Sequence, residues 1–236
     1  MRFIIFLLCL STQILHAQID LSEIKSLIQN EVEQNHFSGN ILIADQGTAI
    51  YQASFGNTTL DKQIPIQTDT RFSVASITKM MTAILTLQLV EEGQLSLEDN
   101  LSSLLPEFEI PKAKKISIHH LLLHISGLPN EHHLIYRKPV SPVEYVNATL
   151  NNKNKGAGFG SFNYNNLDYV LLGLIIEKKT GKSWQENIQS KIINPLGLTQ
   201  TGFLEKDKYP ADFAYSYRVM KDGELEADPS FYIENF

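Results

Sequence analysis

The sequence predicts an α+β fold, within the broad α/β class, in which a sheet is interrupted by a helical insertion. Three observations carry that expectation. Two β-rich runs, "NILIA" and "AIYQASF", flank the turn "DQGT" near the start. Helix patterns with their own caps and stops then follow one another from Ile77 to Gly197. A strand-like run, "FAYSYRVM", returns only near the end. With 236 residues and 43% hydrophobic content the chain can bury a real core, as one large domain or two interleaved ones. A net charge of -6 and the lack of any basic run exclude the electrostatic footprint of a nucleic-acid binder.

Taken in order, residues 1–17 pair a basic Arg2 with an apolar stretch from Phe3 to Leu10 and a small Ala17, the pattern of a secretory leader cleaved near Ala17. The apolar stretch is too short to cross a bilayer as a helix. Cleavage would remove Cys9, the only cysteine, and with it any disulfide or thiolate chemistry. An amphipathic helix over "LSEIKSLIQNEVEQN" and the hairpin make up a segment expected over 18–75, which closes with "IPIQTDTRFSVAS", a polar connector. A mainly helical region is expected over 76–205. Its first helix, Ile77 to Glu92, is apolar nearly throughout, which predicts a mostly buried helix closed by Gly93. "SIHHLLLH" starts at a Ser117 cap, and "SPVEYVNATLNN" combines cap Ser141, Pro142 at the first helical position and Glu144 at the capping-box position. "LDYVLLGLIIEKKTG" ends at Gly181, and "SWQENIQSKIINPLG" is halted by Pro195 and Gly197. Residues 206–236 begin a return to the sheet.

One charge stands out in the first of these helices. Between Arg71 and Glu91 the only charged residue is Lys79, three positions after Ser76. On a helix these positions share a face, with Cβ atoms about 5–6 Å apart. A serine needs a neighbouring base to become a nucleophile, and a lysine serves when apolar burial lowers its pKa. The spacing alone also fits a helix cap beside a lysine that reaches water along its stem. Ser22 and Lys25 repeat the pattern on a solvated helix face.

The wider context separates the two. "SVASITKMMTAILTLQLVEEGQLSLEDNLSSLLPEF" resembles the nucleophile helix of the serine β-lactamase and penicillin-binding protein family, most closely its class C and DD-peptidase-like branch, which includes esterases. "ISIHHLLLHISGLP", "FNYNNLDYVLLGLIIEKKTG" and "IINPLGLTQTGF" resemble three further segments of that branch, in the same order. The resemblance implies a β-lactamase/transpeptidase-like fold, an antiparallel sheet with helices plus an all-helical insertion. It implies Ser76 as the acylated nucleophile, Lys79 as its proton partner, Tyr164 as second base or relay, and Asn166 as a clamp on the substrate amide. A phenol beside an ammonium is pushed toward phenolate, and the Ser76 backbone N–H at a helix start can donate to an oxyanion. Tyr145 and Asn147 also read Y-x-N, inside a capped helix, and Ser161 and Asn163 read S-x-N beside the favoured pair.

The family's third motif, K-T-G or H-x-G on a strand, is expected beyond Phe236. Lys179, Thr180 and Gly181 spell K-T-G only at a helix end, where lysines suit the dipole and glycine closes the turn. The sequence is therefore expected to be a C-terminally truncated member, with a short inactive form as the alternative. The function expected is a secreted or periplasmic serine hydrolase acting on a D-Ala-D-Ala peptide, a β-lactam or a short-chain ester. It would need no cofactor and no metal, and its partners would be small-molecule or peptidoglycan-peptide substrates, with no nucleic acid and no membrane span. A zinc site on His120 and His124, one helical turn apart, is the lesser enzymatic reading, since no glutamate lies between them and His119, His132 and His133 complete no ligand set. A non-catalytic penicillin-binding-like module is the other.

Overall fold

The computed structural model describes residues 20–34, 37–59, 64–131, 135, 140–152, 156, 158–204 and 209–227. The leader-like residues 1–17 with Cys9, the pair His132 and His133, and the end of the tail lie outside them. The chain divides into two compact units, Met1–Gly56 and Asn57–Phe236.

In the first unit, α1 (Ser22–Gln34) precedes an antiparallel hairpin of β1 (Gly39–Asp45) and β2 (Thr48–Phe55). The two loop residues, Gln46 and Gly47, have φ of 47° and 80°. That left-handed pair matches the right-handed twist of the flanking strands, and glycine takes the second place without a Cβ clash. A bulge between Ile43 and Ala44 shifts the register. Ser22 and Lys25 sit on α1, where Lys25 Nζ lies 5.7 Å from the Tyr51 ring centroid. They build no site.

The second unit holds the helices. A tight 3-10 turn, Ala75–Ile77, leads into α2 (Thr78–Glu91). Then come α3 (Leu101–Leu104), α4 (Ile118–Leu122), α5 (Pro142–Leu150), α6 (Asn166–Thr180) and α7 (Trp184–Ile188). Helix α6 is the central post. Its Leu167, Leu171, Leu172, Ile175 and Ile176 are buried in one core with Leu85 and Leu89 of α2. Each such side chain contributes about 1.5–3 kcal/mol when taken out of water. The expected caps form: Ser117 and Ser141 each close a capping box, and Gly181 ends α6 at φ 69°; Ser183 closes a further capping box at the start of α7.

Four expectations change. Helix α2 is buried on one face only, through Thr82, Leu85, Thr86 and Leu89, while Ile77, Met80, Ile84 and Leu87 form an exposed stripe along the other. A sequence apolar all round does not say which of its faces is covered, and here α6 and α7 contact α2. The helix starting at Ser183 widens after Ile188 into a π turn, Gln189–Ile193, with Asn194 N–H donating to Gln189 C=O at 2.9 Å. Pro195 has no N–H to continue an α-helical ladder there. "FAYSYRVM" splits into β4 (Phe213–Ala214) and β5 (Tyr217–Val219), and β5 pairs antiparallel with β6 (Leu225–Ala227). The connector contributes β3 (Arg71–Phe72), which pairs parallel with β4. Across that pair the Arg71 guanidinium donates to the Asp212 carboxylate, Nε to Oδ2 at 2.9 Å, a tie over 141 residues of sequence. The described strands thus form three two-stranded pairs.

Candidate active site

The approach to α2 is strained. Ala75 has φ 42°, a left-handed value that costs an L-residue with a Cβ roughly 1–2 kcal/mol. The next residue is Ser76, solvent-exposed at the turn that starts the helix, and Lys79 lies one turn on, half-buried. Lys79 Nζ donates to Ser76 Oγ at 3.2 Å. The apolar enclosure expected around this lysine is absent, because Val74, Ile77 and Met80 are all exposed. Aromatic faces take its place, with Nζ 4.9 Å from the Tyr164 ring centroid and 5.9 Å from that of Tyr169.

Tyr164 comes from a distant part of the chain. Its hydroxyl donates to Ser76 Oγ at 2.6 Å, across 88 residues. Asn165 places it: the Asn165 Oδ1 caps α6 by accepting from Leu167 N–H at 2.9 Å, and its Nδ2 donates to the carbonyls of Leu128 and Pro129 at 3.0 and 3.1 Å. Asn130 Nδ2 adds a bond to the Tyr164 carbonyl at 3.1 Å. Partial burial acts to raise the pKa of the Tyr164 phenol, and the Glu131 charge adds to that. Hydrogen bonds from Lys79 and Ser76 and the Lys79 charge outweigh them, so the phenol titrates below its ordinary value of 10.0. Asn166 is the first residue of α6, beside Tyr164, and its Nδ2 donates to Glu131 Oε1 at 2.6 Å. Ser76, Lys79 and Tyr164 therefore meet at one oxygen, while Asn166, two residues after Tyr164, is paired with Glu131.

The other candidates part company with this cluster. Tyr145 is buried in the core and Asn147 is exposed on α5. Ser161 is exposed, and Asn163 is engaged by its backbone N–H with His124 C=O at 2.8 Å. The Lys179–Gly181 stretch is a helix end, with the Thr180 hydroxyl donating to Ile176 C=O at 2.8 Å. His120 Nδ1 lies 2.8 Å from Ser117 Oγ, and its ring stacks on Phe159 at 4.7 Å. His124 is turned to Asp168 instead, and among the described residues no group of three potential ligands could hold a metal ion.

Glu131, Ser126 and Asp168 were not singled out by sequence reasoning, and His124 was weighed only as a zinc ligand. Their partners lie 35 to 44 residues away, beyond any local spacing rule. Asp168 is fully buried. Burial raises its pKa above the usual carboxylate range, and the bonds from His124 and Ser126 offset only part of that.

The β-lactamase family model matches residues 24–231. This chain belongs to the β-lactamase family. Among relatives, penicillin-binding protein 4* of Bacillus subtilis is 30% identical over 204 residues, which cover 82% of this chain and 45% of that protein. The chain thus spans less than half the length of that relative. The octameric penicillin-binding protein homologue from Pyrococcus abyssi is 33% identical with a TM-score of 0.79, over 92% of this chain and 52% of that one. The D-amino acid amidase of Ochrobactrum anthropi, solved with L-phenylalanine, is 27% identical with a TM-score of 0.66, over 81% and 52%. The fold is accordingly that of the β-lactamase and penicillin-binding hydrolases.

Proposed function

We propose that the protein is a serine hydrolase that cleaves amide or ester bonds through an acyl-enzyme on Ser76. The observation that carries this reading is the Ser76 oxygen, accepting from Lys79 at 3.2 Å and from Tyr164 at 2.6 Å. In the acylating form Tyr164 is a phenolate stabilised by the Lys79 ammonium. It takes the Ser76 proton as Oγ attacks the carbonyl carbon, and the phenol then gives that proton to the leaving amine or alkoxide. The Ser76 backbone N–H, in the 3-10 turn, is the candidate donor to the oxyanion. Asn166 is the candidate clamp for the amide of the scissile unit.

The substrate class proposed is a D-Ala-D-Ala peptide, a β-lactam or a short ester. The names of the relatives, a penicillin-binding protein and an amidase acting on D-amino acids, support the amide end of that range. The leader-like residues 1–17 support a secreted or periplasmic setting. The test is covalent capture: the purified protein is labelled by a fluorescent penicillin or a fluorophosphonate, and Ser76→Ala abolishes the labelling. Undiminished labelling of that variant refutes the assignment. Labelling without subsequent hydrolysis would favour a non-catalytic penicillin-binding-like module.

A further inference from the structure

A fully buried carboxylate is costly unless its neighbours give it a task. Asp168 lies in the first turn of α6, four residues past Tyr164, and both of its oxygens are engaged. Ser126 Oγ donates to Oδ1 at 2.6 Å, and His124 Nδ1 lies 3.1 Å from Oδ2. Ser126 in turn accepts from Leu128 N–H at 3.2 Å, and Leu128 C=O accepts from Asn165. The carboxylate thus anchors the loop after α4 against the start of α6.

His124 uses that anchor on Tyr164 from three directions. The residue before the tyrosine, Asn163, donates its N–H to the His124 carbonyl at 2.8 Å. The residue after it, Asn165, has its N–H 3.3 Å from His124 Nδ1. Between them the Tyr164 ring packs on the imidazole, with centroids 4.8 Å apart at 46°. The backbone of His124 holds a left-handed φ of 56°, unfavourable for a side chain with a Cβ and sustained by these surrounding bonds. Tyr169 also packs against the imidazole, with centroids 5.0 Å apart, and donates to Leu122 C=O at 3.2 Å.

We infer that His124 and Asp168 are positioning residues for Tyr164: the buried carboxylate fixes the imidazole, and the imidazole fixes the phenol at hydrogen-bonding distance from Ser76. The inference rests on the acyl-enzyme reading for its importance, though not for its geometry. The groups around the phenol are Lys79 from α2, Glu131 from the loop before α5, Tyr169 from α6 and the imidazole beneath. Of these, Lys79 lowers the phenol's pKa, and its effect falls off once the ring moves.

The test follows the Tyr164 phenol directly, by NMR titration of protein carrying 13Cζ-tyrosine, with the signal assigned through Tyr164→Phe. In Asp168→Ala the imidazole loses its anchor. Tyr164 is then expected to titrate at higher pH than in the parent, and fluorophosphonate labelling at neutral pH to slow by roughly tenfold or more. Asp168→Asn keeps both contacts, the amide oxygen accepting from Ser126 and the amide N–H donating to His124 Nδ1 in the tautomer that leaves this nitrogen unprotonated, and is expected to restore both readouts. If Asp168→Ala does not fold, His124→Phe carries the test, since it keeps a ring beneath the phenol and removes the anchor to Asp168 together with the Asn165 N–H contact. A folded variant with Tyr164 titration and labelling unchanged overturns the inference. Loss of folding in both also overturns it, in favour of a purely structural role. Absence of labelling in the parent would count against the acyl-enzyme reading instead, while the NMR titration still decides this one.

Discussion

With a neutral phenol, Ser76 Oγ accepts two hydrogen bonds and its own proton has no base to go to. Loss of the phenol proton reverses one of those bonds, so that the serine O–H donates to phenolate oxygen. The acylation rate is therefore expected to rise with pH through the Tyr164 pKa, and because that pKa is lowered the rise falls below the ordinary phenol range. Tyr164→Phe should abolish this limb and slow labelling by about 10²–10⁴-fold, measured as the pH dependence of the second-order rate. A second titration acts on stability. Asp168 has a folded pKa raised above the unfolded one, so the folded chain keeps a proton that the unfolded chain has lost. The contribution of that group is full below the unfolded pKa near 3.8 and is lost as pH rises through the folded value. Asp168→Asn should accordingly lose less stability than the parent in denaturant titrations as pH rises from about 3.8 through the folded value.

At the scale of elements, the turn into α2 and the cap of α6 bring the site together. Ala75 holds a conformation that glycine takes freely, so Ala75→Gly is expected to raise stability by about 1 kcal/mol, or roughly 2–4 °C in Tm for a chain of this size. The same change loosens the turn that carries Ser76, and labelling should slow. A variant that labels at the parental rate would show that the strain has no catalytic part. Gly156 is constrained in another way: a Cβ there would stand 2.1 Å from Leu128 O, against the backbone that receives Asn165. Element types were largely readable in advance. Ser141, Pro142 and Glu144 announce α5, and Gly181 announces the end of α6, because caps act through neighbours within four residues. The parallel pairing of β3 with β4 was not readable, since two-residue strands have no period and their partners lie 142 residues apart. Ser76, Lys79 and Tyr164 could be named because their motifs are local, whereas Glu131, His124 and Asp168 reach the site through contacts that only the folded chain makes.

For the molecule as a whole, the exposed stripe of α2 is the largest departure from expectation. Ile77, Met80, Ile84 and Leu87 recur at helical spacing, with Ile77 61% and Met80 58% exposed. A continuous apolar strip of this kind promotes association of like molecules and dye binding. Met80→Lys with Ile84→Lys should reduce the fluorescence of bound anilinonaphthalene sulfonate and shift concentration-dependent sedimentation toward the monomer. Unchanged sedimentation would show that another surface governs association. The chain does contain a substantial core, centred on α6, and its membership of the β-lactamase family extends over residues 24–231.

The backbone at Ala75 has a further consequence, one of climate rather than chemistry. Folded domains keep a margin of only about 5–15 kcal/mol, so one left-handed alanine at roughly 1–2 kcal/mol is about a fifteenth to two fifths of it. That share is harmless in a cool habitat and grows in importance as growth temperature approaches the melting point. Selection for heat resistance should therefore reach residue 75 early. A lineage that relaxes it would gain a longer-lived protein with a looser turn ahead of Ser76.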